Sequence, residues 1–297
     1  MKASAYKIAD GVYWVGTLDW DLRSYHGYTL DGTTYNAFLL FGEKTVLIDT
    51  VWAPFDNEFV ENLEKEVDLA KIDFIVSNHG EVDHSGALNK LMEKIPNTPI
   101  YCSANAVKSL KGQYFKNWDL RILKTGDTLD IGNGKQLVFV EMRMLHWPDS
   151  MATYLSGDNI LFSNDAFGQH FANEKLFNDQ VDRCDLFNEA IKYYANILTP
   201  FSSTLKKKLA EVSSFNLPID IIATSHGVIW RENPTQIIEK YAQWSNDYHE
   251  NQITIIYDTM WNGTKTLAEK IAQGIEKSDR NVTVKIYNIS KIDENDN

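Results

Sequence analysis

Cysteine is nearly absent: the 297 residues contain two, Cys102 and Cys184. Two thiols can form neither a disulfide framework nor an all-thiolate metal site, and each reads as a small buried hydrophobe. Basic residues are in the minority, 29 Lys and Arg against 41 Asp and Glu, for a formal charge of −12. Nucleic acids and anionic membranes both need clustered cations, so neither is an expected partner. No apolar run approaches the ~18 residues that span a bilayer. The opening MKASAYKIADG lacks the apolar core of a signal peptide. With 43% hydrophobic and 24% charged residues, disorder, collagen-like repeats and low-complexity arrays are excluded. The expectation is a cytoplasmic globular protein of one large or two ordinary domains.

Short apolar runs, rich in β-branched and aromatic residues, alternate with polar turns through the first two thirds. Strands are expected at 12–15, 37–41, 45–49, 74–77, 99–102, 137–140, 159–162 and 220–224. Apolar residues at three- and four-residue spacing predict helices over 59–67, 86–95, two within 185–212, and 235–248. Early strands fall in adjacent pairs and later ones alternate with helices, which implies two sheets covered by helices on their outer faces. Near residue 250 the pattern restarts: a strand at 253–257, the turn Asp258-Thr259-Met260-Trp261-Asn262-Gly263, a helix over 264–275 and an alternating strand at 282–287. This is the β-α-β opening of a doubly wound domain. A complete sheet of that kind takes about 130 residues, so a second domain at 253–297 is begun and not completed, after a first at 1–250.

The strongest signal is His79-Gly80-Glu81-Val82-Asp83-His84, four potential ligands in six residues directly after an apolar strand. His146, Asp165 and His226 each follow another strand by a few residues. Ends of strands in α/β sheets are where sites form. Four imidazoles and three carboxylates exceed what one catalytic metal uses and suit two metals bridged by a carboxylate, roughly 3.5 to 4 Å apart. Asp165, the carboxylate outside the local cluster, is the natural bridge. Hard anionic oxygen ligands favour iron over a purely hydrolytic zinc pair.

This set, His79-x-Glu81-x-Asp83-His84 with His146, Asp165 and His226, resembles the metal motif of the flavodiiron proteins. The resemblance implies an α/β fold, an αββα metallo-β-lactamase-like domain followed by the incomplete start of a flavodoxin-like domain. It implies His79, Glu81 and His146 on one iron, Asp83, His84 and His226 on the other, and Asp165 between them. The implied activity is reduction of dioxygen to water, of nitric oxide to nitrous oxide, or both, with electrons passed through FMN. Thr259, Met260, Trp261, Asn262, Gly263 and Thr264 resemble the family's phosphate-binding loop, and hydroxyls with backbone N–H groups at a helix N-terminus suit a phosphate. The resemblance also implies a head-to-tail homodimer and a rubredoxin-like or flavin reductase electron donor; no rubredoxin-like Cys-x-x-Cys module is present.

His26 resembles a family loop histidine beside the diiron pocket, able to donate a hydrogen bond or proton. Trp147 reads equally as a neighbour of a partner's flavin and as a core aromatic. His170 and His249 read as surface residues, and Lys206-Lys207-Lys208 as a solvated helix face. Two other readings stand beside the reductase: a binuclear zinc hydrolase on the same fold, against which Glu81 and the flavodoxin-like start both weigh, and a truncated product that holds metal without turnover.

Overall fold

Period-two alternation decides the layers. In the strand Phe38–Phe41, Phe38 and Leu40 enter one apolar core and Leu39 another. Val46 and Ile48 against Leu47, and Phe74 and Val76 against Ile75, divide the same way. A strand buried on both faces must lie inside a multilayer structure, and it does. The computed structural model describes residues 5–246 and 248–290. Among these, a seven-stranded sheet runs in the order Tyr6–Ala9, Val12–Trp14, Phe38–Phe41, Thr45–Ile48, Ile72–Ser77, Ile100–Ser103, Leu120–Leu123. A five-stranded sheet runs Thr128–Gly132, Lys135–Glu141, Met151–Leu155, Ile160–Asn164, Ile221–Thr224.

The sheets face each other through a shared core, in which the rings of Phe38 and Phe162 meet at 5.0 Å. Helices Asp56–Glu66, Leu88–Lys94 and Ala104–Tyr114 cover the outer face of the larger sheet. Helices Arg183–Tyr193, Ser202–Ser214 and Thr235–Trp244 cover that of the smaller. The result is the expected αββα sandwich. Each large apolar side chain buried this way contributes about 1.5–3 kcal/mol.

The expected strands and helices are present with boundaries moved by a few residues. The sheet strands Tyr6–Ala9, Leu120–Leu123, Thr128–Gly132 and Met151–Leu155 and the helix Ala104–Tyr114 were not expected. Met151–Leu155 is buried on both faces, so it lacks the alternation that marks a half-exposed strand. Cys102 is buried, but Cys184 is exposed, in contrast to its expected place in the interior. It sits in the first turn of its helix, where its backbone N–H donates to the capping Asp182 carboxylate at 2.8 Å and its side chain faces water. Lys206 and Lys207 are solvated, whereas Lys208 is half-buried and pairs with Glu211.

The C-terminal unit is the strand Gln252–Tyr257, the helix Gly263–Ser278 and the parallel strand Thr283–Asn288, in register from Gln252 opposite Thr283 to Tyr257 opposite Asn288. This is the β-α-β opening of a flavodoxin-like fold. Its two strands pair only with each other among the described residues, and Ile253, Ile256, Leu267, Ile271 and Ile286 are exposed. Residues 291–297 of the expected second domain lie outside the described residues. No helix of the described residues is long and apolar enough to cross a membrane.

Candidate metal centre

The strand ends are tied together before any ligand is placed. Asn78, at the end of Ile72–Ser77, donates its backbone N–H to Asp49 Oδ1 at 2.7 Å and accepts from Thr153 Oγ1 at 2.7 Å, joining the two sheets. Asn164 Nδ2 donates to Ser225 Oγ at 3.0 Å, which locks the ends of Ile160–Asn164 and Ile221–Thr224. Asn36, held by the Trp14 indole at 2.7 Å, donates to the carbonyls of Thr224 and Gly227 on either side of His226. Gly227 has φ +74°, and a Cβ there would collide with Gln169 Oε1, so glycine is required.

Seven side chains converge on this floor. Asp165 Oδ2 lies 3.5 Å from His79 Nε2 and 3.4 Å from His146 Nε2, while Asp165 Oδ1 lies 3.0 Å from His84 Nε2 and 3.6 Å from His226 Nε2. Glu81 Oε2 is 3.2 Å from His79 and 3.3 Å from His146. Asp83 Oδ2 is 3.3 Å from His84 and 3.1 Å from His226. The set therefore divides into His79, Glu81, His146 and Asp165, and Asp83, His84 and His226, each with its donor atoms within 4.8 Å of one another. Asp165 turns one oxygen to each group.

Both oxygens of Asp83 and of Asp165 and both ring nitrogens of His84 are buried and make no hydrogen bond among the described residues. Six such atoms in one cluster would each be costly to leave unsatisfied. Lone pairs that approach closely without hydrogen-bond alignment are aimed at a shared point, as ligand atoms are. Two of the four rings are fixed from behind. His79 Nδ1 meets Asp149 Oδ1 at 2.9 Å, and Asp149 Oδ2 accepts from Gly80 N at 3.1 Å. His226 Nδ1 donates to the Thr34 carbonyl at 2.7 Å. Both bonds leave Nε2 free to ligate.

The electrostatics is that of a tightly compensated charge cluster. Burial alone would raise the Asp165 pKa, but the imidazoles of His84 and His146 hold it well below the carboxylate range. Burial opposes protonation of His84 and His146, yet the surrounding carboxylates carry both to about 9. His79 rises well above its ordinary value, burial being outweighed by Asp149 and Glu81. Cations other than protons would be drawn to the same place.

All seven expected ligand positions thus lie together. His26 is the tip of a hairpin between Ser24–Tyr25 and Tyr28–Thr29, and His26 and Gly27 both have positive φ, as a tight hairpin turn demands. Its ring is exposed yet lies 5.1 Å from that of His146, and partial burial lowers its pKa. Trp147 is half-buried, its ring centroid 5.2 Å from that of His79 in an edge-to-face arrangement. His170 is not a surface residue: it is 1% exposed, 2.8 Å from Thr33 Oγ1, with its ring 4.6 Å from that of His226. It follows a turn after Asp165 that folds back into the core, which no local pattern marks. His249 is exposed, as expected.

Sequence reasoning also missed Asp149, Thr34 and the Tyr25–Tyr193 wall around His170. Only Asp149 left a trace, as an acidic residue three positions after His146. The expected phosphate loop is open to solvent. Met260 and Trp261 are 83% and 86% exposed, Asn262 precedes the helix Gly263–Ser278 at φ +63° without a side-chain cap, and nothing lies within 4 Å of a Cβ placed on Gly263.

The family model described as ODP family beta lactamase matches residues 33–227. Anaerobic nitric oxide reductase flavorubredoxins of Salmonella paratyphi B and Escherichia coli are 57% identical over 293 residues, 97% of this chain and 61% of theirs. The chain therefore spans 61% of the length of these curated relatives. The rubredoxin oxygen:oxidoreductase of Desulfovibrio gigas superposes with a TM-score of 0.92 at 36% identity, covering 97% of this chain and 72% of that one. The flavodiiron protein of Giardia intestinalis superposes at 0.93 and 33% identity, covering 99% and 72%. The curated and solved relatives named here are reductases, an oxidoreductase and a flavodiiron protein, none of them named as a hydrolase. A metallo-β-lactamase-like domain that matches the ODP model, a β-α-β unit after it, and likeness along nearly the whole chain to a solved flavodiiron structure together mean that this chain belongs to the flavodiiron protein family.

Proposed function

We propose that the chain is the diiron-bearing part of a reductase that converts dioxygen to water, nitric oxide to nitrous oxide, or both. The observation that carries this reading is Asp165, fully buried, with one oxygen facing each of two histidine–carboxylate groups. His79, Glu81 and His146 would hold one iron, Asp83, His84 and His226 the other, and Asp165 would bridge. The donor set fits: neutral imidazoles with three anionic oxygens suit iron in both its common valences. The relatives' names, flavorubredoxin nitric oxide reductase and oxygen oxidoreductase, support the same chemistry.

Bound iron would supply the electrons at the reacting centre. The chain's own residues do the rest. Asp149 and the Thr34 carbonyl hold His79 and His226 with Nε2 forward, so the orientation of both rings is set before any metal enters. Tyr25 and Tyr193, raised above the ordinary phenol pKa first by burial and then by the nearby carboxylates, keep their O–H protons at neutral pH. His26, lowered by burial, stays neutral there and can hold or pass a proton at the mouth. The aromatic edge of Trp147 against His79 restricts water.

Residues 1–250 would form the metal domain and 253–297 the beginning of the flavodoxin-like domain. The loop Thr259, Met260, Trp261, Asn262, Gly263 and Thr264 would take the FMN phosphate, its N–H groups at the helix start being uncapped by side chains. Electrons would arrive through FMN from a rubredoxin-like protein or a flavin reductase, in a head-to-tail homodimer in the cytoplasm. Purification without oxygen, followed by elemental and flavin analysis, tests this. About two irons per chain support the centre, given the two ligand groups. Two zincs that iron does not replace would overturn it. Absence of FMN would remove the loop assignment alone.

A further inference from the structure

Away from the metal centre at the strand ends, a second opening lies on the outer face of the five-stranded sheet. There residues of the helices Ser202–Ser214 and Thr235–Trp244 and of the sheet line an open cavity of about 470 Å³. Ala152 and Leu161 form its floor, and Leu209, Val212 and Ile238 its roof. Close-packed interiors seldom leave voids much larger than a water molecule. This one is about three times the ~150 Å³ apolar cavity that stays dry and takes up benzene. None of the seven metal-facing residues lines it.

We propose that this cavity is a binding site for a neutral, apolar small molecule of the size of about three aromatic rings, one more than a fused pair. Its size follows from the volume, and its neutrality from the polar atoms of the lining, which are already engaged. Lys208 Nζ pairs with Glu211 Oε2 at 2.7 Å. Ser163 Oγ donates to the Ala166 carbonyl at 2.7 Å, the Tyr154 hydroxyl to the Pro218 carbonyl at 2.8 Å, and Thr235 Oγ1 to Asn233 Oδ1 at 3.2 Å. Ser213 and Asn216 stand at the solvent rim. An anion would have to break the Lys208–Glu211 pair, and the hydroxyls of Ser163, Tyr154 and Thr235 already give their protons to other groups, so the lining offers a charged ligand little. An apolar molecule needs no such partner: it restores contact to side chains that otherwise face a void and releases water from apolar walls. The small side chain of Ala152, between larger neighbours on the same sheet face, is what makes the room. The site goes beyond the reductase reading and does not depend on it.

N-phenylnaphthylamine, which is neutral and brightens in apolar surroundings, is the probe, and anilinonaphthalene sulfonate its anionic counterpart. Both would be titrated into the purified full chain, with bound iron measured in parallel. The expected result is one saturable site for the neutral probe, weakened about tenfold or more, about 1.4 kcal/mol, in Ala152→Phe, which fills the floor, and in Thr235→Trp, which covers the mouth. Thr235 is exposed, so its variant remains decisive if Ala152→Phe fails to fold by circular dichroism. Absence of saturable binding, or binding indifferent to Thr235→Trp and any folded Ala152→Phe, overturns the site. Equal or tighter binding of the sulfonate overturns its neutral character. Iron content is expected to be unchanged in both variants, so loss of the diiron reading and loss of this site register separately.

Discussion

Replacing Asp149 with Asn changes one atom and removes one charge, yet neither orientation of the amide satisfies its surroundings. Asp149 is 1% exposed and accepts twice, from His79 Nδ1 at 2.9 Å and from Gly80 N at 3.1 Å. If the Asn oxygen faces His79, its NH₂ is pressed against the Gly80 N–H, donor against donor. If the amide is reversed, the NH₂ donates to His79 Nδ1 and drives the ring proton to Nε2, the nitrogen that faces Glu81 and Asp165. That tautomer cannot ligate. Groups that hold a metal-binding histidine from behind are typically worth 10- to 100-fold in affinity, so a loss of about 1.4 to 2.8 kcal/mol is expected. Position makes the prediction selective: Asp149 touches His79 alone among the seven residues, so only one of two sites should weaken. Chelator competition followed by metal analysis would read two phases, one shifted by that factor and one unmoved. Equal loss from both sites, or no loss, would refute the division into two groups.

Gly80→Ala should act in the same direction by sterics, because a Cβ there would stand 2.6 Å from Asp149 Oδ2 and 2.8 Å from Ser109 Cβ. A cost of about 1–3 kcal/mol in thermal unfolding, with weakened metal retention, is expected. Metal-stripped protein should show a pH window. His84 and His146, carried to about 9, stabilise fully below pH 6.5, and that contribution is lost as pH rises through about 9. Asp165, held low, stabilises above its ordinary value of 3.8, and this is lost on acidification. The melting temperature should therefore fall between pH 6.5 and 9.5 without metal, and a flat profile would contradict the charge compensation. Trp230→Ala empties a fully buried site whose indole donates to the Phe167 carbonyl at 3.0 Å, and about 3–5 kcal/mol should be lost on denaturant titration. Trp261→Ala, at 86% exposure, should stay within about 0.5 kcal/mol.

The amino-acid sequence by itself determined the central strands of both sheets, the order of the main elements and the seven positions that cluster at the strand ends. Alternation in runs such as Ala37–Phe41 and Thr45–Asp49 is a local consequence of the strand's period of two, and histidines and carboxylates just beyond such runs must emerge at one edge of the sandwich. Strands without that contrast escaped notice: Met151–Leu155 is buried on both faces, and its polar Thr153 is bonded to Asn78 of the other sheet. Tertiary structure alone decided the division of these seven residues into two groups. Which oxygen of Asp165 meets which imidazole depends on the lock between Asn164 and Ser225 and on Asn78 joining the sheets, and these contacts link residues 61 and 75 positions apart. The same holds for Asp149 behind His79, for His170 drawn from its expected surface position into the wall of the centre, and for the cavity lined by Ala152 and by residues of two helices. Spacing along a chain reports the period of an element, whereas hydrogen-bond partners and voids exist only between elements, after the chain has closed on itself.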